Sequence, residues 1–337
     1  MLVASDHLSP LGEDAVKPVR VGFLLLSGFA LLAYAAAIES LRAANQVAGK
    51  KLYTWHHISP AGRAAVASNG VELHCEYDTS CHEKFDYVFV CASDEALNFR
   101  HPPTFCWLRN LAANDAVLGG ISGGVFVLAR AGLLHSQRVT LHWLYAPAFS
   151  EEFPEANLHR SLYEIDGKRM TCGGGMAPLD MFHALLARQH GEELAARVSD
   201  WFLHTEIREG QKPQRLSFRA RLGVNHSGLI RALEAMEDAL EEPLSRSELA
   251  RIAAMSERHL DRLFLAQVGS PLSVYYLQLR LERARQLVLQ SSLSLLEIAI
   301  ACGFNRASTF SKSYRKLFGV PPSTDRGITL RRWREHH

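Results

Sequence analysis

Residues 256–264 of this chain read Ser256-Glu257-Arg258-His259-Leu260-Asp261-Arg262-Leu263-Phe264, and residues 305–319 read Asn305-Arg306-Ala307-Ser308-Thr309-Phe310-Ser311-Lys312-Ser313-Tyr314-Arg315-Lys316-Leu317-Phe318-Gly319. Both stretches place apolar residues at helical spacing and leave basic side chains on the opposite side. Each follows a short apolar helix pattern and a turn, so each predicts the second helix of a helix-turn-helix unit. A chain with two such basic units is expected to bind duplex DNA.

The same spacing predicts which side chains face the DNA. Leu260 and Phe264 belong to the packed side of the first helix, and Phe310 and Tyr314 to that of the second. The outer sides keep cations and hydrogen-bonding groups that suit phosphates and base edges. The candidate DNA-binding residues are Arg258, His259, Asp261, Arg262, Arg306, Thr309, Lys312, Ser313 and Lys316. Exposed arginines on one amphipathic helix would indicate only a solvated face, whereas two such units together favour DNA.

A long helix is predicted between the two units, from Pro271 to about Leu289, with Leu281, Ala284 and Leu287 on its buried side. About 18 residues at about 1.5 Å each span roughly 27 Å. Successive major-groove faces on one side of B-DNA are about 34 Å apart. This helix and its turns are therefore expected to set the two recognition helices into adjacent grooves from one subunit.

Composition separates the chain into two halves of opposite charge. The 337 residues are 47% hydrophobic and 21% charged, as in soluble globular proteins of two or three domains. Residues 1–212 carry 18 Lys and Arg against 23 Asp and Glu, whereas residues 213–337 carry 19 against 12. The carboxyl-terminal part alone is thus expected to face a polyanion.

Cysteine usage and the amino terminus indicate a cytoplasmic protein without a metal site or cofactor. The six cysteines form no CxxC pair and no zinc-type spacing, which predicts buried, reduced thiols. Met1–Lys17 contains three acidic residues and no apolar core, so no signal peptide is expected. No uncharged stretch approaches the roughly 20 residues that span a membrane.

Residues 19–208 alternate short apolar runs with amphipathic segments, which predicts a flavodoxin-like α/β domain with a mainly parallel sheet. The predicted strands are Val19–Leu26, Tyr53–Ser59, Phe85–Ala92, Ala116–Ile121 and Val139–Trp143, with a hairpin in Arg160–Thr171. The predicted helices are Ala30–Val47, Thr104–Asn114, Gly123–Ala131, Met176–Gln189 and Glu192–Glu206. The expected organisation is a disordered start (1–18), this domain, a linker (209–225), an all-α domain with two helix-turn-helix units (226–326) and a basic tail (327–337).

The all-α part resembles the AraC/XylS family between Leu244 and Arg326. The resemblance rests on Leu249-Ala250 with the first recognition helix, on Arg280–Arg285, on Ile298–Phe304 and on Phe318-Gly319-Val320-Pro321-Pro322-Ser323. It implies a transcription regulator with a double helix-turn-helix domain.

The α/β part contains a glycine-rich strand-to-helix turn, Gly119-Gly120-Ile121-Ser122-Gly123-Gly124. Such a turn presents a side chain at a sharp elbow above the carboxyl edge of the sheet, where open α/β folds bind ligands. The arrangement resembles the type 1 glutamine amidotransferase-like (PfpI-type) superfamily, which implies an elbow cysteine, a His after the next strand and a Glu from the first helix. The matching residues here are Ser122, His142 and Glu39.

Ser122 departs from that superfamily, since a thiol is activated far more easily than a serine hydroxyl. Ser122 is therefore interpreted as a helix cap or a ligand contact, while a Ser-His-Glu amidase or hydrolase is the alternative function. Glu39 is either a surface residue or a buried carboxylate with a raised pKa. The candidate ligand-binding residues are Glu39, Ser122, Gly123, His142 and Trp143; no catalytic residue is assigned.

Together the two parts resemble the GlxA-like subgroup of AraC-type regulators, on segments such as Ile38–Gln46, Ala129–Leu134 and Gly174–Asp180. The resemblance extends to regulators of glycine betaine, dimethylglycine, carnitine or arginine catabolism, and it implies a small zwitterionic or amine metabolite as inducer. The resulting hypothesis is a cytoplasmic transcription activator that senses this metabolite in a non-catalytic domain. Its expected partners are promoter DNA, RNA polymerase and a second copy of the chain, with no membrane.

Overall fold

The computed structural model describes residues 17–327, and the first part of this range is built on one seven-stranded sheet. The strands are β1 (Val19–Leu25), β2 (Tyr53–Ser59), β3 (Ala64–Val66), β4 (Glu72–His74), β5 (Tyr77–Asp78), β6 (Tyr87–Ala92), β7 (Val117–Ser122), β8 (Tyr163–Asp166) and β9 (Arg169–Cys172). The sheet order is β5-β2-β1-β6-β7-β9-β8, in which β8 alone is antiparallel to its neighbour; β3 and β4 form a separate hairpin. The predicted disordered start, except residues 17 and 18, and the basic tail, except Gly327, lie outside the described residues.

Helices cover both faces of the sheet, which is why its strands read as almost continuous apolar runs. The helices of this half are α1 (Leu31–Ala48), α2 (Pro102–Ala113), α3 (Gly124–Arg130), α4 (Ala146–Glu152), α5 (Ala177–His190) and α6 (Glu192–Trp201). Alternate strand residues enter two cores. Phe23 and Phe89 pack with α1 and α5 on one face, while Leu24 and Val90 pack with α2 and α3 on the other.

The strand order places a crevice at the centre of the sheet. The connections that follow β1 and β6 run to opposite sides of the sheet, as at the switch point of flavodoxin-like folds. Ligands of open α/β sheets bind at the carboxyl ends of the strands at such a point. Residues 26–28 after β1 and residues 93–95 after β6 border this crevice.

The next strand, β7, ends in the elbow that the glycine pattern predicts. The backbone of Ser122 adopts a φ of +57°, a conformation that is unfavourable for residues other than glycine. Gly124, in the first turn of α3, lies so close to β6 that a Cβ atom there would come within 2.0 Å of the Val90 carbonyl oxygen. The absence of side chains at these glycines therefore allows the start of α3 to pack directly against the sheet, with Ser122 in the turn that precedes it.

The second half of the described chain is wholly helical. Its helices are α7 (Phe218–Leu222), α8 (Ser227–Asp238), α9 (Arg246–Ala253), α10 (Glu257–Val268), α11 (Leu272–Gln290), α12 (Leu295–Ala301) and α13 (Ala307–Phe318), with a further helical segment at 322–327. α9 with α10, and α12 with α13, are the two predicted helix-turn-helix units. Both α9 and α12 begin with a capping box, formed by Ser245 with Glu248 and by Ser294 with Glu297.

Several elements differ from the sequence prediction. Residues 139–143 form no strand: Val139 makes a single bridge to Leu158, and the rest of the segment leaves the sheet edge. The helix predicted to reach Glu206 ends at Trp201, and the predicted linker contains α7. The short elements β3, β4, β5 and α4 were not predicted, because two to seven residues are too few for a periodic signal.

Replacing Gly124 by alanine is expected to destabilise the α/β domain by about 1–3 kcal/mol, the usual cost of overpacking a core. The added methyl group would meet backbone rather than a flexible side chain, so β6 or α3 must shift. The measurement is the urea midpoint of the wild type and of Gly124→Ala. Gly327→Ala, whose Cβ would meet nothing within 4 Å, is the control and should not lower the midpoint; a midpoint of Gly124→Ala equal to that of the wild type would contradict the packing argument.

Candidate DNA interface and ligand site

The second unit presents an exposed basic face on α13. Phe310 and Tyr314 are fully buried, and this fixes the opposite side of the helix as its outer side. Arg306, at the N-cap, and Thr309, Lys312 and Lys316 are exposed there, and Ser313 is partly buried. Their spacing of three to four residues puts the cations on one face.

The first unit presents a more balanced face on α10. Arg258 and Arg262 are exposed, with Arg262 3.1 Å from the Nδ1 atom of His259. Asp261 is partly exposed and forms an ion pair at 3.3 Å with Arg246 of α9. The acidic group is therefore held by α9, which leaves the two arginines and the histidine as the groups open to DNA.

In each helix-turn-helix unit, an arginine from a preceding helix donates hydrogen bonds to the carboxyl end of the unit's first helix. Arg231 of α8 donates hydrogen bonds to the carbonyl oxygens of Ile252 and Ala253 at the end of α9. Arg280 of α11 does the same for Cys302 and Gly303 at the end of α12, with an Nε–O distance of 2.8 Å to Cys302. These arginines satisfy the free carbonyl groups at the helix ends and fix the turn before each recognition helix.

In the α/β half, Ser122 lies at the elbow with 6% of its surface exposed. It does not cap α3: the N-cap is Gly123, and no side chain accepts a capping hydrogen bond there. The interpretation of Ser122 as a helix cap is therefore wrong, because Ser122 lies one residue before the N-cap, at the positive φ of the elbow. Gly174, after β9, comes so close that a Cβ atom there would lie 2.7 Å from the Ser122 Cβ.

His142 lies in the irregular segment beyond Val139, next to Trp143 and Tyr145, whose rings are each 5.6 Å from its own. Its Nδ1 atom accepts a hydrogen bond from the Leu144 N–H at 3.3 Å. Burial lowers the pKa of His142, partly offset by the nearby Asp94 carboxylate, so the imidazole is neutral at pH 7. Among residues 17–327, no hydrogen bond joins His142 to Ser122.

Glu39 is a surface residue, the first of the two alternatives. Its carboxylate is 43% exposed and forms an ion pair at 2.6 Å with Arg42. It lies eight residues into α1, which places it roughly 12 Å along the helix from the carboxyl edge of the sheet. The buried alternative is excluded, and the described residues show no hydrogen bond or ion pair between Glu39 and the Ser122 or His142 side chains.

The carboxyl groups at the elbow come instead from the turn after β6, Asp94–Leu97, which sequence reasoning missed. Glu95 lies against Gly28, so that a Cβ atom on Gly28 would overlap the Glu95 carboxyl group. Its Oε2 atom is buried and has no hydrogen-bond partner within the described chain, and burial raises the pKa of Glu95. Asp94 accepts a 2.7 Å hydrogen bond from the Tyr145 hydroxyl. An acidic pair directly after a buried strand was the available signal.

The candidate site at the carboxyl edge is therefore bordered by Ser122, Gly123, the neutral His142, two carboxyl groups and the rings of Trp143 and Tyr145. Acidic groups beside aromatic rings are suited to a cationic nitrogen. A serine nucleophile would need a base in hydrogen-bond contact and a group that orients that base, and the described residues do not provide this arrangement.

These features define a class: a DNA-binding protein with two helix-turn-helix units fused to a flavodoxin-like α/β domain. Within the described residues, no group of side chains could hold a metal ion, and no helix combines the length and apolarity needed to cross a membrane. Cys75, Cys91, Cys172 and Cys302 are buried, whereas Cys81 is partly buried and Cys106 is exposed, which corrects the expectation for these two thiols.

Comparison with known proteins identifies the family. Residues 249–327 match the model of a helix-turn-helix domain. The chain is 44% identical over 313 residues to the HTH-type transcriptional regulator GlxA of Rhizobium meliloti, covering 93% of this chain and 97% of that protein. It is 42% identical to the HTH-type transcriptional regulator CdhR of Pseudomonas aeruginosa, covering 91% of each. The chain belongs to this family of HTH-type transcriptional regulators.

Solved structures confirm the α/β fold. An AraC family transcriptional regulator from Pseudomonas putida superposes with a TM-score of 0.50 at 23% identity, over 55% of this chain and all of that one. A transcriptional regulator protein from Vibrio parahaemolyticus gives the same TM-score and identity over 56% of this chain. The predicted fold class, an α/β domain with a mainly parallel sheet followed by an all-α domain with two helix-turn-helix units, is confirmed.

Replacing Glu95 by glutamine is expected to stabilise the protein at pH 7 and to have no effect near pH 4. A carboxyl pKa raised by burial means that wild-type stability is complete below the unfolded-state pKa of about 4.3 and falls as the pH rises through the folded-state pKa. Glutamine stays neutral throughout. Thermal unfolding of both proteins between these pH values measures the difference.

Glu39→Gln is the control, because it removes an exposed carboxylate that is paired with Arg42. It should give no stabilisation at pH 7. An equal effect of the two variants would show that the Glu95 carboxylate is solvated.

Proposed function

We propose that the protein is a ligand-responsive transcription activator that holds DNA with α10 and α13 and senses a small metabolite at the elbow of the α/β domain. The observation that carries the DNA-binding part is the pair of exposed recognition faces on α10 and α13, which are separated by one long helix, α11. The 19 residues of α11 span about 28 Å, which with the adjoining turns matches the roughly 34 Å between successive major grooves. A protein with this function works in the cytoplasm, beside the chromosome.

The two faces support different parts of DNA binding. The outer side of α13 carries Arg306, Lys312 and Lys316 without an acidic residue, which favours phosphate contact and salt-dependent affinity. The outer side of α10 combines Arg258 and Arg262 with hydrogen-bonding groups, which favours contacts with base edges.

Arg306→Ala and Lys312→Ala should each weaken binding to the DNA upstream of the protein's own gene. Each lost phosphate contact lowers the slope of log affinity against log salt by about 0.9. Gel-shift titrations at about 50 and about 200 mM salt measure this slope. Lys51→Ala, which removes an exposed cation of the α/β domain, is the control; a wild-type affinity that does not fall with salt would contradict the proposal.

The ligand proposed for the elbow is a small amine or zwitterion such as a betaine or a basic amino acid. Asp94 and Glu95 supply negative charge at the switch point, and Trp143 and Tyr145 supply aromatic faces. Ser122, Gly123 and His142 complete the wall of the site. Glu39 keeps no role in this proposal, because it lies on the outer surface of α1.

A thermal-shift screen with glycine betaine, dimethylglycine, carnitine and L-arginine tests the ligand site. One compound should give a saturable stabilisation, which amounts to about 2.7 kcal/mol at one hundred times its dissociation constant. His142→Ala and Glu95→Gln should abolish the shift, while Glu39→Gln should retain it. A shift that persists in both elbow variants would place the ligand elsewhere.

Activation further requires that the ligand bind one arrangement of the DNA-binding domains more tightly than another. The free energy by which the ligand shifts this equilibrium cannot exceed the difference between its binding free energies for the two arrangements. A homodimer and contact with RNA polymerase belong to the same proposal. The hydrolase alternative gains no support from the geometry, since Ser122, His142 and Glu39 do not form a connected triad.

A further inference from the structure

The segment that leads out of the α/β half is fastened to the elbow region by Gln214. The Oε1 atom of Gln214 accepts a hydrogen bond from the Trp143 N–H at 2.8 Å. Its Nε2 atom lies 2.8 Å from the Leu141 carbonyl oxygen and 2.7 Å from that of Ser161. The amide is therefore held by the backbone on both sides of His142.

Gln214 also lies beside the glycines that face Ser122. A Cβ atom on Gly173 would come within 2.7 Å of the Gln214 amide carbon, and one on Gly174 within 2.7 Å of the Ser122 Cβ. Consecutive glycines thus contact the linker glutamine and the elbow serine. The Gln214 side chain forms part of the border of the candidate ligand site.

The orientation of this amide is determined by its partners. A backbone N–H can only donate a hydrogen bond and a carbonyl oxygen can only accept one. The oxygen of Gln214 must therefore face Trp143, and its nitrogen must face Leu141 and Ser161. Glutamate, which has the same shape, would place an oxygen against two carbonyl oxygens and lose these bonds.

The next residue, Arg215, connects the same tryptophan to the DNA-binding half. Its guanidinium lies 4.6 Å from the centre of the Trp143 ring, and its Nη1 atom is 3.1 Å from the Glu237 carboxylate on α8. α8 supports the first helix-turn-helix unit through Arg231. A contiguous path therefore runs from the residue beside His142 to the first DNA-binding unit.

We propose that Gln214 and Arg215 form a strap that couples the ligand site to α8. The proposal rests on the proposed function, since it states how occupancy of the elbow reaches the DNA-binding domain. A ligand that moves Trp143 or the backbone around His142 weakens the contacts of both strap residues at once and loosens one of the links to α8, while the ion pair between Arg160 and Asp238 remains. Arg215 and Glu237 are partly exposed, so these contacts are individually weak, and a ligand of ordinary affinity can open them.

Hydrogen exchange in the full chain without added ligand tests whether the strap exists. Gln214→Glu should accelerate exchange of the Trp143 amide by about fivefold, because the carbonyl oxygens of Leu141 and Ser161 repel the carboxylate from this position and the Trp143 N–H then loses its acceptor, the effect of losing one hydrogen bond. Gln46→Glu, which adds the same charge on the exposed side of α1, should leave it unchanged. Equal protection of Trp143 in the wild type and Gln214→Glu would overturn the proposal.

A double-mutant cycle on DNA affinity tests whether the strap couples the ligand site to the DNA-binding half. The cycle compares Trp143→Ala, Arg215→Ala and the double variant, and the effects should deviate from additivity by about twofold or more, as for contacting residues. Arg219→Ala, which removes an exposed arginine of α7, should be additive with Trp143→Ala. Additive effects of Trp143 and Arg215 would overturn the coupling.

The two experiments separate the strap from the proposed function. A wild type that binds no DNA contradicts the proposed function, and hydrogen exchange alone then decides whether the strap exists. Normal DNA binding with an unchanged Trp143 amide in Gln214→Glu overturns the strap and leaves the proposed function standing.

Discussion

The DNA-binding half depends on helix α11, because α11 contributes residues to both hydrophobic cores of that half. Its first turns supply Leu272 and Tyr276 to the core of the first unit, and its later turns supply Leu281 and Ala284 to that of the second. A helix that belongs to two cores cannot bend between them without breaking one. The distance between α10 and α13 is thus fixed by packing, and the DNA must match it.

The α/β half depends on a different constraint, the meeting of strand ends at one edge of the sheet. The parallel order brings Gly28, Glu95 and Ser122 together although they are far apart in sequence, and the antiparallel hairpin of β8 and β9 adds Gly174. The DNA-binding half contacts this same edge. A cleft of about 640 Å³ between the halves is lined by Asp94 and Leu144 on one side and by Arg285 and Phe318 on the other.

The accuracy of the sequence prediction varied with the range of the interactions involved. The recognition helices, α11, the main strands and the elbow were predictable, because local apolar spacing and glycine runs determine them. Residues 139–143 were misjudged as a strand, since their apolar character reflects packing beyond the sheet edge. Glu39 was placed at the site by analogy, whereas the carboxyl group at the crevice is Glu95. Gln214 lies in a polar segment without a pattern, and its contacts exist only in the folded protein.

Hydroxyl-radical footprinting of the protein on its upstream DNA tests the central claim most directly. If α11 fixes the separation of α10 and α13, each subunit should protect two patches on one face of the duplex, about 10 base pairs apart. Inserting about half a helical turn between those patches should abolish protection of one of them, because the rigid helix cannot follow it around the duplex. A single protected patch per subunit, or two patches that tolerate the insertion, would contradict the account.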